Sequence, residues 1–192
     1  MLKSTPRHST QMDSFYVMPK EVPHQLVKHT LVSGSVLVPY DTDGTLTQQL
    51  KAHKLQVTTN TNEENLVDPI WWTSEKSKKH DWVVCATMGL GSCAEYVLEY
   101  GVQTGTKGIA ILDRLSFLEP VMKRRTFLLK YKLSDMVVLS PRPRYRATGS
   151  TRDSVTSCWF VFQRPENWMD GTYIHYAVNW DRLSANPLPS LP

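Results

Sequence analysis

Cys85 closes an apolar run, Trp82-Val83-Val84-Cys85-Ala86, and is followed by Thr87, Met88 and the chain-breaking pair Gly89 and Gly91. A thiol at a strand end can act as a nucleophile if a neighbouring base draws off its proton. No histidine is placed beside it in sequence, and the apolar run predicts instead a buried, unreactive thiol. A second stretch with chemical character is Pro141-Arg142-Pro143-Arg144-Tyr145-Arg146. Its prolines keep the chain extended, its guanidinium groups can grip phosphate oxygens in bidentate fashion, and Tyr145 offers a ring on which a base could stack. Asp81 either contacts a substrate or caps the strand it begins. Trp71 and Trp72 form either a stacking wall or packing over the sheet, and Arg114 and Glu119 line a cleft or pair with each other. The six histidines are scattered singly and no Cys or His pair has zinc-ligand spacing, so no structural metal is expected.

The elements that must position these residues alternate along the chain. Glu21 to His29 can form a helix started by Pro19, with Pro23 tolerated in the first turn. Ser35 to Val38 reads as a strand, the Asp43-Gly44 pair as a turn, and Leu46 to Ala52 as a second helix. Leu55 to Thr59 is a strand leading into a polar loop, Asn60 to Asn65. Asp81 to Ala86 is the central strand, apolar enough to be covered on both faces, followed by a helix from Cys93 to about Tyr100. Gly108 to Leu112 is another buried strand, Phe117 to Tyr131 an amphipathic basic helix, and Met136 to Leu139 and Cys158 to Phe162 two more strands. A last strand, Thr172 to Val178, follows the hairpin signal Asp170-Gly171. This alternation predicts an α/β fold with a mainly parallel sheet, helices on both faces and an antiparallel C-terminal hairpin. Met1 to Ser14 reads as a flexible leader, residues 15–185 as one domain, and Asn186 to Pro192 as a proline-rich tail.

Composition narrows the function classes. A chain of 192 residues with 41% hydrophobic and 21% charged residues fits one globular domain with a real core. The polar start lacks the apolar stretch of a secretory signal, and no run approaches the ~18 apolar residues of a membrane span, so a cytoplasmic location without a membrane partner is expected. Three cysteines in apolar segments fit buried free thiols in a reducing compartment. The formal net charge of +4 conceals an asymmetry: residues 121–152 carry nine Lys or Arg (Lys123, Arg124, Arg125, Lys130, Lys132, Arg142, Arg144, Arg146, Arg152) against Asp135. A polyanion-binding face requires such clustering, although a solvated loop and helix face would also accommodate it.

In order and spacing, several pieces resemble the N6-adenine DNA methyltransferases, particularly the short forms encoded by bacteriophages. Phe15-Tyr16-Val17-Met18-Pro19 is similar to the aromatic-proline segment before that family's first helix. Val36 to Gly44 resembles the strand and loop that cradle S-adenosylmethionine, and Val57-Thr58-Thr59-Asn60 the second strand, whose end meets the ribose. Asp81-Trp82-Val83-Val84 resembles the strand before the catalytic tetrapeptide. Leu115 to Glu119 and Asp153 to Phe162 are similar to the downstream strand ends. The resemblance spans about Phe15 to Arg164 and implies a Rossmann-like class I methyltransferase fold.

The same resemblance exposes departures. The family uses Asn or Asp, then Pro-Pro, then Tyr or Phe: an acceptor and a prolyl carbonyl for the adenine amino group, and a ring that stacks on the extruded base. Here Cys85, Ala86, Thr87 and Met88 occupy those positions, and a thiol accepts poorly while a methionine has no flat face. In the cofactor loop Val38 replaces an acid and Thr42 a glycine, so that Pro39, Asp43 and Gly44 alone keep the pattern. Thr61, between Asn60 and Asn62, stands in the region of the ribose-binding acid, and Glu63 and Glu64 come too late. The expectation is therefore a phage pseudoenzyme with vestigial cofactor positions at Pro39, Asp43, Gly44 and Asn60 and no bound cofactor. Its partner would be a nucleic acid, DNA above all, or a host or phage protein. Lys123, Arg124, Arg125, Arg142, Arg144, Tyr145, Arg146 and Arg152 would carry the nucleic-acid contact. The alternative is an active S-adenosylmethionine-dependent adenine methyltransferase with a non-standard site.

Overall fold

The computed structural model describes residues 17–76, 78–88, 90, 92–119, 128, 131–145, 155–163 and 171–182. The leader and the tail expected from the sequence lie outside the described residues, as do Lys123, Arg124, Arg125, Arg146 and Arg152. In chain order the elements are α1 (Glu21–His29), β1 (Ser35–Val38), α2 (Thr45–Ala52), β2 (Gln56–Thr59), α3 (Pro69–Lys76), β3 (Trp82–Ala86), α4 (Cys93–Gln103), β4 (Gly108–Arg114), β5 (Leu133–Ser140), β6 (Ser157–Gln163) and β7 (Tyr173–Val178). The limits of α1 and β1 are those predicted.

The seven strands form one sheet in the order β2-β1-β3-β4-β6-β5-β7. β1 pairs in parallel with both β2 and β3, and β3 with β4, while β6 runs antiparallel between β4 and β5. Strand alternation then divides the interior into two layers. Val36, Val38, Trp82, Val84, Ala110 and Leu112 face α1 and α2, which supply Val22, Leu26, Leu46 and Leu50. Leu37, Val83, Cys85, Ile109 and Ile111 face the other way, onto Trp72, Val97 and Leu98 of α3 and α4. Both faces are covered, which explains why β3 and β6 read as continuous apolar runs.

Three local readings are corrected. β7 pairs in parallel with β5, which lies between it and β6, so β6 and β7 form no hairpin with each other; Asp170 lies outside the described residues. The antiparallel C-terminal pair is β5 with β6. The helix predicted from Phe117 does not begin there, because Leu115–Leu118 form a single 3₁₀ turn and Glu119 is extended; residues 120–127 lie outside the described residues. Helix α3 was not foreseen, although its signal is present: the Asp68 Oδ1 atom accepts from the Ile70 amide at 2.8 Å, and Pro69 fills the first helical position.

The amino ends of three strands are tied together by Asp81. Its Oδ2 accepts from the Ser35 amide at 2.8 Å and the Ser35 hydroxyl at 2.9 Å, and its Oδ1 pairs with Lys107 Nζ at 2.9 Å. Gly34 just before β1 has φ +78°, and a Cβ there would collide with the Asp81 carboxylate. The Lys107 ammonium, then the Ser35 donors, hold the Asp81 carboxyl at about 2. Asp81 is thus a local strand tie. Its place is at the end of the sheet opposite the crevice described next.

Candidate functional site

From β1 the chain passes through α2 to β2 on one side, and β3 takes the other side. That reversal opens a crevice beyond the carboxyl ends of β1 and β3, the usual ligand position in an open α/β sheet. Residues 39–44, Asn60 and residues 86–88 converge there. The structure therefore brings the predicted cofactor and tetrapeptide positions to one place.

The loop after β1 turns its acids inward. Asp41 is buried, and its Oδ2 accepts from the Thr47 amide in the first turn of α2 at 2.8 Å. Asp43 accepts from the Thr45 amide through Oδ1 at 2.9 Å and from the Met18 amide through Oδ2 at 3.0 Å. Two of the amide donors that a helix start would offer to an anion, those of Thr45 and Thr47, are thereby taken by the chain's own carboxylates. Gly44 precedes α2 with φ +74°, a conformation that favours glycine, and a Cβ would meet little there besides Gln48 Nε2 at 3.8 Å. Val38, at the position of the family's acid, is buried in the core.

Asn60 continues the β1–β2 pairing, donating its amide to the Val38 carbonyl at 3.1 Å while its carbonyl accepts from the Asp41 amide at 3.2 Å. Its side-chain oxygen accepts from the amides of Thr61 at 2.8 Å and Asn62 at 3.2 Å. Asn60 Nδ2 and Thr47 Oγ1 are buried with no hydrogen-bond partner among the described residues. Glu64 is exposed on the 3₁₀ turn Glu63–Val67, whose start is capped by Asn62.

At the end of β3 the side chains turn inward as well. Cys85 is fully buried, and burial first, then the nearby Cys93, Asp113 and Asp41, raise its thiol well above the ordinary range. The neighbouring Cys93 is pushed up to about 11, by burial first and then by Glu63, Glu95 and Asp113. A nucleophilic thiolate at Cys85 is thus disfavoured on two counts, and the crevice carries an acidic field. Thr87, 1% exposed, donates its hydroxyl to Asp113 Oδ2 at 2.7 Å, and its amide bonds the Leu112 carbonyl at 3.0 Å. Met88 packs against the apolar core. None of the four residues presents a stacking ring, and the Thr87 hydroxyl is engaged.

The arginine-proline stretch lies elsewhere, after β5. Arg142 and Arg144 are exposed and, with Pro19, Glu21, Trp180 and Asp181, line an open cleft of about 270 Å³. Two carboxylates share it, which offsets the positive charge. Tyr145 corrects the expectation of a stacking ring: it is 3% exposed, and its hydroxyl lies 2.9 Å from Ser157 Oγ. Val17 donates its amide to the Tyr145 carbonyl at 2.7 Å, so the residue anchors the segment. Trp72 is also packing, buried with its indole N–H donating to the Leu66 carbonyl at 3.1 Å. Trp71 meets it edge-on.

No family model and no curated protein matches the sequence. Solved structures do match the architecture. One, from Vibrio vulnificus YJ016 and described as a modification subunit of a type I restriction enzyme, superposes with a TM-score of 0.53 at 12% identity over 88% of this chain. A second, from Agrobacterium tumefaciens and described as a predicted O-methyltransferase, gives 0.51 at 10% identity, covering 84% of this chain and 86% of the other. The fold is that of a class I methyltransferase. A third neighbour, a Listeria monocytogenes protein described as a class I S-adenosylmethionine-dependent methyltransferase, gives 0.50 at 11% identity, over 90% of this chain and 69% of that one. The chain spans only 48% of the Vibrio subunit, so the likeness covers the methyltransferase fold and not that whole protein. Among the described residues no helix is long and apolar enough to cross a membrane.

Proposed function

We propose that this methyltransferase-fold protein, encoded by a phage, no longer transfers methyl groups and acts by binding a nucleic acid or a protein. The observation that carries the reading is the end of β3. Methyl transfer to an adenine amino group needs an acceptor aimed at that group and a surface that holds the extruded base. Cys85 is buried with its proton held, the Thr87 hydroxyl is bound to Asp113, and Met88 is packed on the core. The loop after β1 supports the same reading, because Asp41 and Asp43 occupy helix amides that could otherwise receive the carboxylate of S-adenosylmethionine. Nucleic acid is the favoured partner. The basic segment 121–152 supports it, and the fold shared with a modification subunit of a restriction enzyme is compatible with it. Contact would run through Arg142 and Arg144 and the basic positions around them, since the crevice itself is acidic.

A second reading, an active adenine methyltransferase, is favoured by Asn60 Nδ2 and Thr47 Oγ1, two buried polar atoms that a bound ligand could satisfy. Titration with S-adenosylmethionine under a thermal-shift readout separates the two. A ligand that binds the native state must raise its stability, so the first reading expects no shift. A saturable rise, together with transfer of labelled methyl groups to DNA, establishes the second.

A further inference from the structure

The two edges of the sheet are finished differently. At one edge β2, Gln56–Thr59, exposes Gln56, Thr58 and Thr59, a polar margin. Among the described residues the other edge is β7, Tyr173–Val178, which exposes Tyr173 (51%), Ile174 (54%), Tyr176 (64%) and Val178 (58%). An uncovered edge strand of apolar residues invites pairing with another strand, and proteins that avoid this use charges, prolines or bulges. β7 contains no proline, lysine or carboxylate, and His175 is engaged within the chain, 3.1 Å from Asp135 Oδ1.

We propose that β7 is a self-association edge, on which a second copy of this chain adds its own β7 antiparallel across a two-fold axis. Backbone directions favour this. Asn179, next after β7, donates its amide to the Ser140 carbonyl of β5 at 2.8 Å. Alternation along a strand then turns the amides and carbonyls of Ile174, Tyr176 and Val178 toward the free edge. An axis through Tyr176 sets Tyr176 opposite Tyr176 of the partner subunit, and Ile174 opposite Val178 of the partner subunit. In that register the outward backbone groups bond reciprocally, as an isologous contact requires. The side chains match as well: an aromatic pair is flanked by β-branched pairs on the same face, the cross-strand combinations that sheets favour. Because no formally charged side chain projects from β7, the two-fold brings no like charges together. A foreign strand could use the same backbone groups, but the palindromic match of Ile174, Tyr176 and Val178 favours the chain's own copy.

Sedimentation of the full chain over a wide dilution series tests this. The expected result is a reversible dimer of twice the 22.0 kDa chain mass. Tyr176→Lys sets two ammonium groups on the axis and is expected to weaken dimerisation at least tenfold, while circular dichroism, and melting temperature at dilutions where both chains are monomeric, stay near wild type as folding controls on this exposed position. Tyr176→Cys is expected to give a covalent dimer on oxidation, since residues opposed across such an axis lie within disulfide reach. A wild-type chain that stays monomeric overturns the proposal, as does a dimer that Tyr176→Lys leaves intact. Protection of the β7 amides that appears only when another protein is added assigns the edge to a foreign strand, and overturns it equally.

Discussion

At the amino end of β3, Asp81 meets an amide, a hydroxyl and an ammonium group, and both its oxygens have partners. At the carboxyl end the polar groups are turned inward onto neighbouring residues: Thr87 onto Asp113, Asp41 onto the Thr47 amide. Two buried polar atoms close to that end, Thr47 Oγ1 and Asn60 Nδ2, have none among the described residues. A buried donor without an acceptor costs free energy, on the order of 1–3 kcal/mol. The amino end is thus built as a tie, whereas the carboxyl end keeps the position of a ligand crevice and fills it with contacts of the chain to itself.

That contrast can be broken by mutation. Asp81→Ala is expected to have the largest effect, lowering unfolding stability by about 2 kcal/mol, because a carboxylate bound to charged and neutral donors is removed from three strand ends. Urea denaturation reads it directly. Arg142→Ala with Arg144→Ala should leave stability unchanged and, under the proposed nucleic-acid contact, flatten the salt dependence of binding to DNA by about one unit of slope for each phosphate that an arginine no longer neutralises. Binding titrations at several salt concentrations check that. Thr87→Val should cost only about 1 kcal/mol, since its hydroxyl makes one short bond, to Asp113, beside a long contact with the Leu112 carbonyl, and Val keeps the packing. If the denaturation midpoint falls further for Thr87→Val than for Asp81→Ala, the carboxyl end is the stronger tie and the contrast is reversed.

Acid titration sharpens the comparison by a smaller margin. Asp81 is held at about 2 against an ordinary 3.8, so its contribution is fully present above 3.8 and is lost as pH falls toward 2. His24 and His29 lie below their ordinary 6.5, burial being the main cause and the facing His53 and His175 the next. The unfolded chain therefore takes up protons first, and stability begins to fall as pH drops below 6.5. Thermal melts across this range should show two declines, and Asp81→Asn should remove the lower one.

Much of the architecture was legible because the sheet is covered on both faces. Continuous apolar runs at Trp82 to Ala86 and Gly108 to Leu112 can satisfy little else. The missed helix α3 shows the converse: Asp68-Pro69 is a readable start, but the two tryptophans that follow suit a stacking wall as well as a helix. Tyr145 shows the limit of composition. A tyrosine between arginines looks like a surface ring, yet its burial depends on Ser157, twelve residues away, and on the core behind it.

The amino-acid sequence alone determined the alternation of strands and helices, the burial of Cys85 and the charge asymmetry, because these follow from local periodicity and residue type. Only the tertiary structure decided which strand lies beside which, that Thr87 reaches Asp113, and that β7 is left as an apolar edge. Those outcomes depend on contacts between residues far apart in the chain, which no local pattern encodes.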